Sequence, residues 1–370
     1  MEFTVQKADL LREMSRTQGV VERKNTIPIL ANVLLRADQG MIEFRATDLE
    51  VGLRTSCPAE VKASGSITLS AKKLFEIARA LPNAPIHFKA QPNQWVSITC
   101  EKSKFRMVGL PPEDFPSLPE ESFDKGIQFP GEAFRNMVER VIFATTSDDA
   151  RYSLNGALLL LRKSFVALVA SDAHRLAYIS RELPVSPKEK EVRVVVPRKA
   201  LHEVARLCGE MDDQEVAFGH KETHLFFRVG SCTLDCRVLE GNFPNFDKVI
   251  PKDNDKEVLL TVEEFGAAMK RVSLLSDERT RPVKLSLSDD KLEISSTNPE
   301  TGEASESLAV DYGKDELSIG FNARYLMEFV NVVGGEGIHL SFKDEMSQVL
   351  MRPKDAEGQD YRYVVMPMRI

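Results

Sequence analysis

An internal repeat with a period of about 125 residues is the feature that most restricts how this chain can fold. Phe115-Pro116 in GLPPEDFPSLP has a counterpart, Phe243-Pro244 in LEGNFPNFDKV, at an offset of 128 residues. Three polar pairs keep nearly the same period after strand-like runs: Thr47-Asp48, Ser171-Asp172 and Thr297-Asn298. In a chain of 370 residues, this period predicts three domains of ordinary size.

Each repeat is predicted to run in the order helix, strands, helix, strands. Residues 7–22 place four side chains at helical spacing on an inward face: Leu10, Met14, Thr17 and Val21. Lys7, Arg12 and Arg16 lie off that stripe, so we expect the other face to be cationic. The segments IPILANVLLRADQ, MIEFRATDL and VGLRTSCPAEVKA alternate or run apolar, which predicts antiparallel strands. A second helix follows at KKLFEIARAL, and the later repeats keep this order.

The pattern predicts an α+β fold of three tandem domains with antiparallel sheets and six short helices. The segments LPPEDFPSLPEESFDKG and GNFPNFDKVIPKDNDKE are rich in proline and polar residues, as domain connectors are. We therefore predict domains at residues 1–123, 124–251 and 252–370.

Composition indicates a globular protein without a membrane segment. The chain is 42% hydrophobic and 28% charged, and no apolar run approaches the roughly 20 residues of a membrane helix. The start MEFTVQKADLLREM is charged from its second residue, unlike a signal peptide, so we expect a cytoplasmic location. The five cysteines are scattered, and CTLDC has no further zinc ligands nearby. We expect buried thiols, no metal and no cofactor.

The net charge of −7 means that any binding to nucleic acid requires a local basic surface. Basic residues recur at helix starts, as Lys72-Lys73, Arg198-Lys199 and Arg324. For any single helix, the alternative interpretation is an ordinary solvated face, because several of these helices also carry acidic residues. Recurrence of the basic residues in three repeats favours a shared basic layer. Helices of this kind would contact phosphates weakly and without sequence preference.

Catalytic motifs are missing from the sequence, which contains no Walker-type GxxxxGK[ST], HExxH or GxSxG segment. The sharpest catalytic candidate is SDAHRL, where Asp172 and His174 are close neighbours. Triad members are usually distant in sequence, however, and Asp172 occupies the repeat position of Asp48 and Asn298. We expect Asp172 to fix a turn through the backbone. A hydrolase or nuclease using Asp172 and His174 is the catalytic alternative.

Taken together, these segments resemble the bacterial DNA polymerase III beta subunit family, the sliding clamps. The carriers of the resemblance are MEFTV with NTIPILANVLL, ATDLEVGL, LPPEDFP, RYSLNG, SDAHRLA, VPRKAL, GNFPNFDKVIPK, GFNARYL and YVVMPMRI. The resemblance covers essentially the whole chain and implies a non-catalytic processivity factor. It implies a homodimeric ring of six similar DNA-clamp domains, with paired helices inside and sheets outside. Head-to-tail closure would cover the strand edge left at each end of one copy.

By position, the resemblance implies a partner groove between the second and third domains. The groove would hold a short peptide resembling Gln-Leu-x-Leu-Phe in a mostly apolar cleft. Its implied residues are Leu154, Ser171, Ala173, His174, Arg175, Leu176, Pro244, Lys248, Val249, Asn322, Tyr325, Met346, Gln348, Val364, Val365, Met366, Pro367, Met368, Arg369 and Ile370. Ser171 and Ala173 stand where threonine and glycine are usual in the best-known members of the family, and Lys248 stands where arginine is usual in them. Of the two Phe-Pro copies, only the second is expected to reach a binding site, through Pro244.

The resemblance also implies DNA contacts and a dimer interface. The implied DNA contacts are Lys24, Lys72, Lys73, Arg79, Tyr152, Arg198 and Lys199. Asp148 stands where the best-known relative has a DNA-contacting glutamine, so the role of that loop stays open. The implied interface sets Lys73, Phe105 and Met107 of one copy against Leu274, Leu275, Glu303 and Glu306 of the other. Lys73 therefore has two implied roles.

The implied partners are a second copy of the chain, double-stranded DNA and several replication proteins. The replication proteins are the polymerase alpha subunit, the clamp-loader delta subunit, and other polymerases and repair proteins that carry a clamp-binding peptide. The alternative is a regulatory protein that grips DNA from one side as a monomer. Linear DNA separates the two, because a ring slides off free ends whereas a side-on binder is retained equally on linear and circular DNA.

Overall fold

The computed structural model describes residues 1–21, 27–123, 127–146, 153–183, 191–211, 214–356 and 358–370. In these ranges the chain forms six α-helices: α1 (Lys7–Thr17), α2 (Ala71–Ala80), α3 (Gly131–Glu139), α4 (Arg198–Glu210), α5 (Val262–Val272) and α6 (Ala323–Val333). The strands of the same ranges are β1 (Glu2–Gln6), β2 (Asn32–Asp38), β3 (Met41–Thr47), β4 (Val51–Pro58), β5 (Glu60–Ala63), β6 (Gly65–Ser70), β7 (Pro85–Ala90), β8 (Trp95–Cys100), β9 (Ser103–Val108), β10 (Gln128–Pro130), β11 (Gly156–Arg162), β12 (Phe165–Ser171), β13 (Arg175–Arg181), β14 (Glu191–Pro197), β15 (Glu215–Lys221), β16 (His224–Val229), β17 (Cys232–Arg237), β18 (Lys256–Thr261), β19 (Pro282–Ser288), β20 (Lys291–Asn298), β21 (Gly302–Ala309), β22 (Leu317–Asn322), β23 (Gly337–Phe342), β24 (Val349–Pro353) and β25 (Gln359–Val365). None of the described helices is long and apolar enough to cross a membrane.

The described residues fall into two compact units. The first unit comprises Met1–Arg135 with Lys199–Val238, and the second comprises Asn136–Arg198 with Leu239–Ile370. The predicted central domain is therefore divided between the units, with its two halves packed in different bodies. The predicted boundaries near residues 123 and 251 stay predictions.

The first unit contains an eight-stranded and a five-stranded antiparallel sheet. The larger sheet has the order β10-β15-β16-β17-β4-β3-β2-β6, and the smaller has the order β5-β1-β7-β8-β9. Strand β4 pairs with β17 so that Gly52 lies opposite Asp235. Helix α1 packs against α2, and Phe3, Phe44 and Phe218 are fully buried in the core. The larger sheet thus joins strands of the first and central predicted domains.

The second unit repeats this construction with an eight-stranded and a four-stranded antiparallel sheet. The larger sheet has the order β14-β11-β12-β13-β25-β24-β23-β18, and the smaller has the order β21-β20-β19-β22. Strand β13 pairs with β25 so that Leu176 lies opposite Val364. Helix α5 packs against α6. In both units a continuous sheet crosses a predicted domain boundary, which leaves no open strand edge at that junction.

All six predicted helices are present in the described ranges, but α1 is shorter than the pattern indicated. Leu10, Met14 and Thr17 are buried, as predicted, yet the helix ends at Thr17 rather than near residue 22. Gly19 lies two residues after this end, and a Cβ atom there would come within 2.2 Å of the Glu203 carboxylate. The chain therefore leaves the helix where it passes under a charged side chain of α4.

The prediction that Arg16 lies on an exposed cationic face of α1 is wrong. Arg16 is buried, and its Nη1 atom lies 2.8 Å from Oε2 of Glu13, which is fully buried. Arg206 of α4 donates from Nη2 to the carbonyl oxygen of Arg16 at 2.9 Å and pairs with Glu203 at 2.8 Å. A buried carboxylate requires charged hydrogen-bond donors, so Glu13 draws Arg16 inward. We refer to Glu13, Arg16, Glu203 and Arg206 as the α1–α4 ion network.

The repeated polar pairs form closely similar turns. Oδ1 of Asp48 accepts hydrogen bonds from the backbone N–H groups two and three residues later, at 3.0 and 2.7 Å. Oδ1 of Asp172 does the same at 2.9 and 3.0 Å, and Oδ1 of Asn298 accepts one such bond at 2.9 Å. The predicted turn-forming role of Asp172 is confirmed. Leu49 and Ala173, the next residues in the first two turns, both adopt left-handed backbone conformations, with φ of 80° and 73°.

The five cysteines are buried free thiols, as predicted. Burial raises the pKa of Cys57 and of Cys208 to about 12, so both thiols stay protonated at neutral pH. Within the described ranges, no group of three or more His, Cys, Asp and Glu side chains is arranged to hold a metal ion.

Candidate functional site

An apolar cluster in the second unit lies where the partner groove is predicted. Leu154, Leu176, Leu350 and Val364 are buried in this cluster, and Val249 packs against it. The β13–β25 pairing sets Leu176 directly opposite Val364. Strands from the predicted second and third domains therefore present their apolar side chains together. Four predicted groove residues, Leu154, Leu176, Val249 and Val364, meet in this cluster, together with Leu350, which was not predicted.

The turn between β12 and β13 links the cluster to the C-terminal tail. Oγ of Ser171 donates to the carbonyl oxygen of Arg175 at 2.8 Å and accepts the N–H of Ala173 at 3.1 Å. Ala173 and His174 are exposed at the tip of the turn. The carbonyl oxygen of His174 accepts the N–H of Met366 at 2.9 Å. The turn and the tail are thus held together by the backbone.

Arg175 is buried at the start of β13 and holds several groups around the turn together. Its Nε atom lies 3.0 Å from Oδ2 of Asp172, and its Nη2 atom donates to the carbonyl oxygen of Phe143 at 2.6 Å. Its Nη1 atom pairs with Glu328, and the guanidinium lies 4.5 Å from the ring centroid of Tyr325. These contacts occupy the guanidinium with protein partners, so its role is to position the turn and Tyr325.

The C-terminal tail, Met366–Ile370, follows β25 and lies against β22. The N–H of Met368 donates to the carbonyl oxygen of Gly320 at 2.8 Å. A Cβ atom on Gly320 would come within 2.4 Å of Ile370, so only glycine allows this approach. A cavity of about 450 Å³ lies beside the tail. Met346 and Ile370 line it and are 66% and 69% exposed, which is unusual for large apolar side chains.

The remaining predicted groove residues differ in their surroundings. Pro244, Lys248 and Arg369 are exposed, whereas Val365 is fully buried and Pro367 is half-buried.

Two polar residues of the predicted groove form hydrogen bonds within the protein. Asn322 caps α6, because its Oδ1 atom accepts the N–H of Arg324 at 2.9 Å. The backbone carbonyl of Gln348 accepts a hydrogen bond from Asn254 at 3.0 Å. The Asn322 amide therefore serves the helix start.

Several contributors to this region were not predicted from the sequence. Phe143 and Glu328 hold Arg175, and Lys284 and Ile319 line the cavity beside the tail. Glu328 lies four residues after Arg324 on α6 and pairs with it at 3.0 Å, a spacing that the sequence does display. The other three residues come from elements that are distant in the sequence, so no local pattern indicates them.

The predicted DNA contacts differ in how free their charges are. Lys72, Arg79 and Arg198 are exposed and form no ion pair among the described residues. Lys73 is exposed, with its Nζ atom 2.9 Å from Oε2 of Glu76. The predictions for Lys24, Asp148 and Tyr152 fall outside the described residues.

Lys199 is the most constrained of these cations. Its Nζ atom lies 2.5 Å from Oδ2 of Asp48 and 3.1 Å from the carbonyl oxygen of Val20. Asp48 therefore binds its own turn through one carboxylate oxygen and Lys199 through the other. Lys199 holds the first turn to α4, and this contact competes with any contact to phosphate.

The five-stranded sheet of the first unit ends on β9, which has a neighbour on one side only. Phe105 on this strand is exposed and Met107 is half-buried. Lys104 and Arg106 on the same strand are exposed as well. This edge therefore combines apolar surface with positive charge.

The four-stranded sheet of the second unit ends on β21 in the same way. Glu303 on this strand is exposed, and Glu306 pairs with Arg271 at 2.5 Å, a hydrogen bond that lowers the pKa of Glu306. Beside the strand, Leu274 is 77% exposed and Leu275 is half-buried. This edge combines apolar surface with negative charge.

The catalytic alternative loses its support in this geometry. One carboxylate oxygen of Asp172 accepts two backbone hydrogen bonds of the turn, and the other pairs with Arg175. A carboxylate engaged in this way is poorly suited to orient a catalytic histidine.

Comparison with known proteins decides the family. Models of the DNA polymerase III beta subunit match the chain with the N-terminal domain at residues 1–119, the central domain at 128–245 and the C-terminal domain at 247–369. A beta sliding clamp of Pseudomonas aeruginosa is 35% identical over 371 residues and covers 100% of both chains. The chain belongs to the DNA polymerase III beta subunit family. The Escherichia coli beta sliding clamp is 31% identical, again over 100% of both chains.

Solved structures of this family match the whole chain. The DNA polymerase III subunit beta of Pseudomonas aeruginosa has a TM-score of 0.94 at 35% identity and covers 100% of both chains. The sliding clamp of Bacillus subtilis has a TM-score of 0.94 at 29% identity and covers 100% of this chain and 99% of its own. A further Pseudomonas aeruginosa sliding clamp, bound to griselimycin, has a TM-score of 0.93 at 35% identity and covers 100% of both chains.

These findings confirm the predicted family, fold class and function. The chain has three tandem beta-clamp domains, and the dimeric ring is known for the family. Its function is that of a sliding clamp, a processivity factor of the replicative polymerase that is not a catalytic subunit. Its partners are, in general terms, DNA and polymerase.

Proposed function

We propose that two copies close head to tail, with β9 of one copy meeting β21 of the other, so that the ring tethers polymerase to duplex DNA. The observation that supports this most directly is that β9 and β21 each have a neighbour on one side only and carry opposite charge. Lys104 and Arg106 on β9 would face Glu303 and Glu306 on β21 around an apolar centre. An exposed strand edge has free backbone hydrogen-bonding groups that can pair with another strand. The positive charge of β9 complements the negative charge of β21.

Sedimentation tests this closure directly. The double substitution Leu274→Ala with Leu275→Ala removes the apolar centre from one side and is expected to convert dimers to monomers. Leu259→Ala removes another exposed leucine, from β18, and is the matched control that stays dimeric. A double variant that sediments as an intact dimer would contradict the proposed interface.

The DNA contacts are proposed to be weak, because a closed ring is retained by its topology. Lys72, Lys73, Arg79, Arg198 and Lys199 would contact phosphates, together with Lys24 and Tyr152. After loading onto a nicked circular plasmid, the protein is expected to stay bound until a restriction enzyme opens the circle, and then to be lost from the ends. Equal retention before and after cutting would refute encirclement and favour the side-on DNA binder.

The apolar cluster with the adjoining turn and tail is proposed to bind partner peptides. A peptide such as acetyl-Gln-Leu-Ser-Leu-Phe would bury its apolar pair over Leu154, Leu176 and Val364 and beside the tail. The proposed partners are the polymerase alpha subunit, the clamp-loader delta subunit, and other polymerases and repair proteins with such a peptide. A clamp that works on the bacterial chromosome would reside at the nucleoid in the cytoplasm.

Fluorescence polarisation with this peptide, labelled, tests the groove. Met346→Ala removes an apolar side chain that is already exposed, so the fold should be unaffected. Without this side chain the complex loses about 1.5 kcal/mol of binding free energy from apolar burial, so peptide binding should weaken about tenfold. Leu274→Ala is the control and should leave the affinity unchanged. Unchanged affinity of the Met346 variant would remove this residue from the groove.

A further inference from the structure

A cavity of about 360 Å³ lies at the first repeat junction, within the first unit. Its lining includes Leu49, Pro116, Leu118 and Asp235, with His224 and Arg237. Pro116 belongs to the first Phe-Pro copy, and Leu49 belongs to the first of the repeated turns. The cavity is thus built from the same repeated elements as the partner groove of the second unit.

Backbone hydrogen bonds establish that the two places are equivalent. In the second unit the N–H of Met366 donates to the carbonyl oxygen of His174 at 2.9 Å, and in the first unit the N–H of Arg237 donates to that of Glu50 at 3.3 Å. Glu50 and His174 each lie two residues after the turn-forming aspartate. The same backbone hydrogen bond, from the end of a strand to the turn, is therefore present at both sites.

The two sites differ in the residues that form the floor, that is, the strand pair at the base of each site. The groove floor has Leu176 opposite Val364, whereas the same ladder position of the first unit has Gly52 opposite Asp235. A Cβ atom on Gly52 would lie 2.6 Å from Oδ1 of Asp235, so glycine provides the space that the carboxylate occupies. An apolar pair is thus replaced by a glycine and an acid.

Asp235 has the properties of a ligand-binding carboxylate. Its side chain borders the cavity, yet the residue is only 5% exposed. Among the described residues its carboxylate accepts no hydrogen bond and forms no ion pair. A buried carboxylate without a partner is costly, and most are paired or hydrogen-bonded. The cavity is the space from which a partner group can reach it.

The charged groups around the carboxylate compensate its charge only in part. Arg54 on β4 is the cation that acts on Asp235 through its charge. Its guanidinium, however, donates to the carbonyl oxygen of Pro119 and lies 3.6 Å from Glu121. Burial raises the pKa of Asp235 to about 6, with Arg54 opposing this change and Glu121 adding to it.

Three further titratable or charged groups line the cavity. Glu50 adds negative charge and Arg237 adds positive charge, and both are exposed. Burial, followed by the nearby Arg237, lowers the pKa of His224, which favours its uncharged form. The charges of Glu50 and Arg237 offset each other, so the carboxylate of Asp235 remains the distinctive charge of this site.

We propose that this cavity binds the side chain of a lysine presented by an extended segment of a partner protein. The ammonium group would pair with Asp235, and the four-carbon stem would lie along Leu49, Pro116 and Leu118. The choice of an extended segment rests on the proposed function of the equivalent groove. The choice of a cation rests on Asp235 and does not depend on that function.

Methyl NMR of the full-length protein, with Nα-acetyl-lysine methylamide as the probe, tests the proposal. At pH 8 the probe should shift the methyl signals of Leu49 and Leu118 saturably. Nα-acetyl-norleucine methylamide has the same stem without the ammonium group and should bind at least tenfold more weakly. Equal binding of the two probes, or no saturable shift at these leucines, would overturn the proposal.

Two further measurements identify the carboxylate. Asp235→Asn should weaken the lysine probe at least tenfold, and Asp289→Asn, at an exposed turn, should not. In the wild type, lowering the pH from 8 to 5 should weaken binding about tenfold as Asp235 takes up a proton. Binding that is independent of both the substitution and pH would refute the assignment. The labelled acetyl-Gln-Leu-Ser-Leu-Phe peptide, measured on the same variants, should bind unchanged, so failure of this pocket is distinguishable from failure of the groove.

Discussion

Replacing Asp235 by asparagine should stabilise the fold, by an amount that grows with pH. The carboxylate has a pKa of about 6 in the folded protein, against an ordinary value of 3.8. An acid whose pKa is higher when folded favours the folded state only while it is protonated. The stability it contributes is complete below 3.8 and is lost as the pH rises through 6. This difference in pKa corresponds to about 3 kcal/mol once the group is fully ionised.

The pH range in which the effect develops makes it measurable. About 1.4 kcal/mol of the loss falls between pH 5 and pH 8. Asparagine has nearly the same shape and does not ionise, so the free energy of unfolding of Asp235→Asn should lack this part of the pH dependence. Urea unfolding of both proteins at pH 5, 6, 7 and 8 gives the two curves, with Asp289→Asn as the control. Parallel curves for wild type and Asp235→Asn would refute the assignment of a strained, unpaired carboxylate.

Three further substitutions test other parts of the structure. Glu13→Ala removes the nearer of two carboxylates beside the buried Arg16 and leaves Glu210 at 3.6 Å. It should lower the free energy of unfolding by about 3 kcal/mol, measured in a thermal melt, whereas Glu263→Ala at an exposed site should change it by less than about 0.5 kcal/mol. Equal melting temperatures of these two variants would contradict the ion network. Ala173→Gly relieves a left-handed conformation and should stabilise by about 0.5 kcal/mol, and a clear loss of stability would argue against that conformation. Arg175→Lys keeps the charge but not the planar fork, so it should cost about 1–3 kcal/mol and weaken the groove peptide in fluorescence polarisation; unchanged values of both would contradict its positioning role.

Local periodicity predicted the elements well because burial leaves a local signature. The spacing of Leu10 and Met14 marks α1, and the repeated pair at Asp172 marks a turn whose hydrogen bonds are local. The prediction that Arg16 is exposed was wrong for a simple reason. A position off the apolar stripe of α1 is exposed only when no other element packs on that side of the helix. Helix α4 does so, and its contact with α1 is not visible in either helix alone.

The pocket at Asp235 shows a second limit of sequence analysis. The segment CTLDC drew attention to its cysteines, and the acid between them faces Gly52, which lies far away in the chain. Only the β4–β17 register brings the two together. The same limit applies to Asn322, which the resemblance implies for the groove and whose Oδ1 atom accepts a backbone N–H at the start of α6.

The α1–α4 ion network has a consequence for recombination between related genes. Its acids and bases come from two distant stretches of the chain, and the two helices are joined by Arg206, which donates to the carbonyl oxygen of Arg16, and by Arg16, whose Nε atom lies 3.6 Å from Oε2 of Glu210 on α4. A crossover in the connector between them would pair an α1 from one parent with an α4 from another. Such a hybrid folds well only when both parents happen to place matching charges there. Exchange of the first domain is therefore constrained by two short helices, even where the rest of the sequence tolerates it.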